Sequence, residues 1–89
     1  MSDLMIELTQ ELYEIFKEDN PQKFDRMCEN YGDWNDVWDE MEDWIMFDVK
    51  DALDYLQMVA DNNLALHQRA NDLIERLNVW KHETDEFLN

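Results

Sequence analysis

Residues 33–61 read DWNDVWDEMEDWIMFDVKDALDYLQMVAD, a stretch that joins the most hydrophobic helical face of the chain to its densest negative charge. Set in two rows it repeats with a period of 15. Asp33-Trp34-Asn35-Asp36-Val37-Trp38-Asp39 aligns with Asp48-Val49-Lys50-Asp51-Ala52-Leu53-Asp54, and Met41, Trp44 and Ile45 align with Leu56, Val59 and Ala60. Each copy opens on Asp with a second Asp three residues later, which suits a helix N-terminus whose free N–H groups and dipole favour carboxylates. Asp33 and Asp48 are therefore predicted caps. On a helical wheel Trp34, Val37, Trp38, Met41, Trp44 and Ile45 fill an arc of about 120°, and Asp36, Asp39, Glu40, Glu42 and Asp43 occupy the remainder. An unbroken helix would carry Asp48 into the apolar arc and rotate the second stripe by roughly 60°. The pattern predicts a break at Phe47 and Asp48.

Working outward, Met5, Leu8, Leu12, Ile15 and Phe16 keep three-four spacing after Ser2 or Asp3 and predict a first helix over 3–18. Asn20 reads as an N-cap and Pro21 as a first helical residue, where a missing N–H costs nothing. Phe24, Met27, Cys28 and Tyr31 then form the buried face of a short helix that Gly32 stops. Pro21 and Gly32 are the single proline and glycine, so tight β-hairpins have nowhere to turn. After Asp61-Asn62-Asn63, Leu66, Ala70, Leu73, Leu77, Trp80, Thr84 and Phe87 recur at alternating four and three spacing and predict a long last helix over 63–88. The expected fold class is all-α: a single acidic domain, 1–89, of five helices at 3–18, 21–31, 34–46, 49–60 and 63–88. Trp38, Met41, Ile45, Leu53, Leu56, Leu73 and Leu77 are the expected core.

The last stripe runs for about three heptads and allows a coiled-coil homodimer through Leu66, Leu73, Leu77, Trp80 and Phe87. The same stripe serves equally for packing on the other helices within one chain.

The 23 acids and seven bases give a net charge of −16, far beyond what solubility needs. Nucleic acid and anionic membrane are disfavoured as direct ligands, and a cationic partner is favoured. Residues 1–32 hold eight acids against three bases, 33–61 ten against Lys50 alone, and 62–89 five against three. A hydrophobic content of 45% with strong periodicity argues that this charge sits on a folded domain, not a disordered tail. Cys28 is the single cysteine, expected as a buried thiol in a reducing compartment. The N-terminal MSDLMIELTQEL has no basic region or long apolar run, so no signal peptide or membrane span is predicted. The expected location is cytoplasmic, in the host if the chain is phage-encoded.

Enzyme signatures are missing. Ser2, Thr9, Thr84 and Cys28 share no local motif with His67 or His82, and the two histidines, 15 residues apart, lack metal-ligand spacing. Asp33-Trp34-Asn35 is followed by neither the glycine nor the bidentate Glu of a calcium loop. No catalysis, metal or cofactor is expected. Acyl carrier proteins need a serine opening a helix after an Asp, and the sole serine is Ser2. Tyr31-Gly32 followed by Asp36-Val37-Trp38-Asp39 resembles the Tyr-Gly and Asp-x-x-Trp-Asp elements of the barstar family of acidic ribonuclease inhibitors. This local likeness needs a one-residue gap and brings none of that fold's strands. It implies only that an acidic, Trp-bearing helix is the kind of element nuclease inhibitors use.

Asp33, Asp36, Asp39, Glu40, Glu42 and Asp43 place a carboxylate every ~2.5 Å of helix, comparable with duplex DNA at one charge per ~1.7 Å. Like-charge neighbours at i,i+3 and i,i+4 cost on the order of 2–4 kcal/mol across 33–61, a cost that a merely solvated face avoids by mixing signs. The leading expectation is a nucleic-acid-mimicking inhibitor that occupies the basic cleft of a DNA- or RNA-processing enzyme. Phage anti-restriction and anti-CRISPR proteins and nuclease-immunity proteins are analogous in charge and size. Its expected partner-binding residues are Asp36, Asp39, Glu40, Asp43, Asp51 and Asp54, with Met46 and Phe47 as apolar anchors. The alternative is a structural homodimer or adaptor whose acidity serves only solubility.

Overall fold

A computed structural model describes residues 3–31 and 34–88, with side-chain surroundings for 3–29 and 37–81. Among the described residues there are five α-helices, a 3₁₀ turn and no strand: α1 (Asp3–Asp19), α2 (Pro21–Tyr31), α3 (Trp34–Phe47), α4 (Val49–Asn62), the turn Leu64–Leu66, and α5 (His67–Leu88). The all-α class and the five helices expected from periodicity are present, with ends moved by a residue or two except at the start of the last helix, which lies four residues later.

The core forms because each helix carries one apolar stripe. Met5, Leu8, Leu12, Ile15 and Phe16 of α1 bury against Val37, Met41 and Ile45 of α3, Ala52, Leu56, Val59 and Ala60 of α4, and Ala70, Leu73 and Leu77 of α5. Thr9 lies within this set, and its hydroxyl is satisfied by donating to the Met5 carbonyl at 2.8 Å. α1 packs on α2, α3 and α5, and α4 packs most extensively on α5. At the α1–α2–α3–α4 junction an aromatic chain fills the space that aliphatic side chains leave. Tyr13 meets Phe24 edge-on at 5.3 Å and Trp38 at 5.7 Å, Phe16 meets Tyr55 at 6.0 Å, and Tyr55 meets Trp44 at 5.4 Å.

The helix breaks have local causes. Asn20 accepts from the Lys23 N–H at 3.2 Å, and Pro21 begins α2, as the sequence predicts. The break between α3 and α4 falls on Asp48, at φ −128° and ψ 41°. Here the cap expectation needs correction: Asp48 occupies the N-cap position, yet its carboxylate makes no capping bond. Its ψ lies outside the extended region from which a cap side chain reaches the first-turn N–H groups. Asp33 lies outside the described residues.

The start of the last helix also differs from expectation. Asn63 is extended, at φ −119° and ψ 98°, and Leu64–Leu66 form a 3₁₀ turn, so α5 begins at His67, four residues after the expected start. Asn63 is held out of helix by its amide, which donates to Asp19 Oδ1 at 3.1 Å. Tyr55 donates to the other oxygen of Asp19 at 2.9 Å, so one carboxylate ties the middle of α4 and the residue just past its end to the end of α1. Burial, then the hydrogen bond and charge of Asp19, push the Tyr55 phenol well above its ordinary 10.0.

Met41, Ile45, Leu56, Leu73 and Leu77 are buried as expected, but Trp38 and Leu53 are half-buried. Each sits at the edge of its helix's stripe, about 100° or less from the residue at its centre, so neighbouring helices cover one side only. Cys28, expected as a buried thiol, is half-buried.

Candidate protein-interaction surface

The acidic surface is built on α3 and α4, whose buried positions fix what faces outward. With Val37, Met41 and Ile45 inside, the opposite face of α3 carries positions 36, 39, 43 and 46 at helical spacing. With Ala52, Leu56 and Val59 inside, the opposite face of α4 carries 51, 54, 58 and 61. These two sets are in register with the 15-residue repeat: Asp36, Asp39, Asp43 and Met46 in one copy, and Asp51, Asp54, Met58 and Asp61 in the other. In sequence each set holds three Asp and one Met. Asp39, Asp43, Asp51, Asp54 and Asp61 are exposed, and Met46 and Met58 are about half exposed, at 48% and 53%. The Asp36 side chain lies outside the described ones. At the corner between the helices Phe47 is 74% exposed, unusual for an aromatic residue in a small domain.

Among the described residues, no acid of α3 or α4 joins an ion pair within 4.0 Å. The ion pairs link α5 to α1: Arg69 reaches Glu14 at 3.1 Å and Glu18 at 3.0 Å, and Arg76 reaches Glu7 at 3.0 Å. Lys17 sits over the Phe24 ring at 5.4 Å from its centroid. Partial neutralisation therefore falls on the α1–α5 side, and the α3–α4 side keeps its charge. Surface pairs add little stability, so their placement matters for the field the molecule presents more than for folding.

Glu40 is placed differently from the sequence expectation of one face shared with Asp39 and Asp43. It follows Asp39 directly, a turn of about 100° on the helix, and so faces α2. There it lines a cleft with Lys23 and Met27 of α2. Sequence reading also missed Met58 and Asp61, although the repeat that pairs position 43 with 58 and 46 with 61 contained the signal.

The expected dimer residues have another use within the chain. Leu66, Leu73 and Leu77 are buried inside the single chain, Trp80 is half-buried, and the Phe87 side chain lies outside the described ones. Exposed apolar residues on α1 and α5 are instead Leu4, Ile6 and Val79, and Leu64 stands out from the 3₁₀ turn at 93% exposure. No group of three or more metal-ligating side chains occurs among the described residues, and no helix there is long and apolar enough to cross a membrane. His67 points Nδ1 at the Ala60 carbonyl at 2.7 Å, a bond that joins α5 back to α4.

Comparison with known proteins found no matching family model, no similar curated protein and no similar solved structure.

Proposed function

We propose that this protein is an acidic inhibitor or decoy that binds the basic, nucleic-acid-binding surface of another protein through α3 and α4. The observation that carries this reading is the unpaired state of Asp39, Asp43, Asp51 and Asp54 on two successive outer stripes, while the ion pairs lie on α1 and α5. Each 14-residue helix is about 21 Å long, and the outer stripe, ten residues from first to last, covers about 15 Å of it, roughly four base-pair steps of duplex. Carboxylates at this spacing can replace phosphates against lysine and arginine, and the field they create speeds encounter with a basic cleft. Met46, Phe47 and Met58 add apolar contact that a nucleic-acid backbone lacks, which favours a protein ligand that both mimics and outcompetes the natural one.

Affinity capture from a lysate, followed by challenge with duplex DNA or RNA, tests this. The wild-type chain should retain nucleic-acid-binding proteins that added duplex elutes. A variant with Asp39, Asp43, Asp51 and Asp54 changed to Asn should retain them poorly. Equal retention by both chains, or retention that duplex does not disturb, would contradict the proposal.

A further inference from the structure

The cleft between α2 and α3 has a composition that the outer stripes do not explain. It measures about 370 Å³, at the small end of ligand pockets, and Phe16, Met27, Met41 and Trp44 give it apolar and aromatic walls. Glu40, Trp44 and Asp48 lie at i, i+4 and i+8, a single line along the helix and its end, so an indole stands between two carboxylates along one wall. Both carboxylates are unoccupied: neither forms an ion pair with Lys23, which lines the same cleft, and Asp48 does not cap α4 although it holds the N-cap position. With Lys23 counted, the cleft keeps a net charge of −1.

We propose that this cleft receives an arginine side chain of the partner, stacked on Trp44 with its guanidinium forked onto Glu40 or Asp48. This inference deepens the proposed function, on which it rests for the partner's basic character. Charge complementarity selects a cation, and the shape of the walls selects which one. A planar guanidinium stacks on an indole and donates two parallel hydrogen bonds to a carboxylate, whereas an ammonium offers a hydrated point charge and no flat face. The methylene stem of arginine suits Met27 and Phe16. The two carboxylates are about 12 Å apart along the helix, so one guanidinium engages one of them.

The test needs no partner. The isotope-labelled protein is titrated with N-acetyl-arginine methylamide and, separately, with the lysine counterpart, at equal ionic strength, and amide and indole resonances are followed. Arginine should shift the Trp44 indole and the signals of Met27, Glu40 and Asp48, binding about fivefold more tightly than lysine. Glu40→Gln and Asp48→Asn combined, both exposed changes, should abolish that preference, with circular dichroism confirming the fold. Equal response to the two probes would overturn the inference, as would shifts spread over Asp39, Asp43, Asp51 and Asp54, or a preference that survives both substitutions. Failure here leaves the capture experiment free to succeed. An arginine-selective cleft on a chain that captures no basic protein would instead count against the proposed function alone.

Discussion

Changing Asp39, Asp43, Asp51 and Asp54 together to Asn should make the protein more stable at low salt. In the folded chain Asp39 repels Glu42 and Asp43, Asp43 also repels Glu40, and Asp51 repels Asp48 and Asp54, each at i,i+3 or i,i+4. At about 0.2–0.5 kcal/mol for each exposed pair, relief amounts to roughly 1–3 kcal/mol. Two losses offset part of it. Lys50 loses its i,i+4 neighbour Asp54, about 0.3 kcal/mol, and the first turn of α4 loses the favourable charge of Asp51, about 0.3–1 kcal/mol. Asn and Asp have similar helix propensities, so that contribution cancels. The net expectation is a gain of about 1 kcal/mol, a rise of roughly 4–8 °C in Tm for a domain of this size. Urea denaturation, which leaves ionic strength unchanged, should read it at ~20 mM salt, and the gap between variant and wild type should shrink by ~300 mM as screening takes over. A variant less stable than wild type at low salt would refute the reasoning, because the carboxylates would then be held by favourable contacts and not by function.

Tyr55→Phe removes the bond to Asp19 and should cost about 1–2 kcal/mol in urea denaturation, with the cost present at neutral pH. Because the folded phenol titrates above the ordinary 10.0, its contribution is whole below about pH 10 and falls as pH rises through the folded value, which ultraviolet titration of tyrosine should follow. Leu77→Ala, at a fully buried site, should cost about 2–5 kcal/mol. With Leu66, Leu73 and Leu77 all packed inside one chain, sedimentation of the wild type should give a monomer, and a dimer that dissociates on this substitution would contradict that packing. Phe47→Ser should leave urea stability within about 0.5 kcal/mol, since the ring is largely in solvent, while weakening capture of the partner.

The helices were legible because their signals are local. Three-four spacing, Asn20 before Pro21, and the clash between a continuous stripe and Asp48 each depend on a few adjacent residues. Where tertiary contacts decide, reading the sequence went astray. The start of α5 depends on Asn63 meeting Asp19, 44 residues away, which no local pattern records. The capping role assigned to Asp48 depended on a backbone angle that composition does not reveal. The stripe on α5 was ambiguous for a physical reason: a seam facing another subunit and a face turned into the chain's own core require the same leucines. Of the candidate surface, Asp39, Asp43, Asp51 and Asp54 were readable from the wheel. Met58 and Asp61 carried their signal in the repeat that pairs them with Asp43 and Met46 and were passed over, whereas the turn of Glu40 towards α2 needed that neighbour's position. The segregation of ion pairs onto α1 and α5 rests on contacts such as Arg76 with Glu7, far apart in the chain.

The most direct measurement is displacement of a labelled duplex from a purified captured partner by this protein, followed by mobility shift at low and at physiological salt. The wild type should release free duplex in proportion to the protein added, with less effect at the higher salt, and the Asp39, Asp43, Asp51 and Asp54 to Asn variant should release little at either. A ternary complex of partner, duplex and protein, or equal displacement by the variant, would contradict the claim that these carboxylates stand in for phosphates.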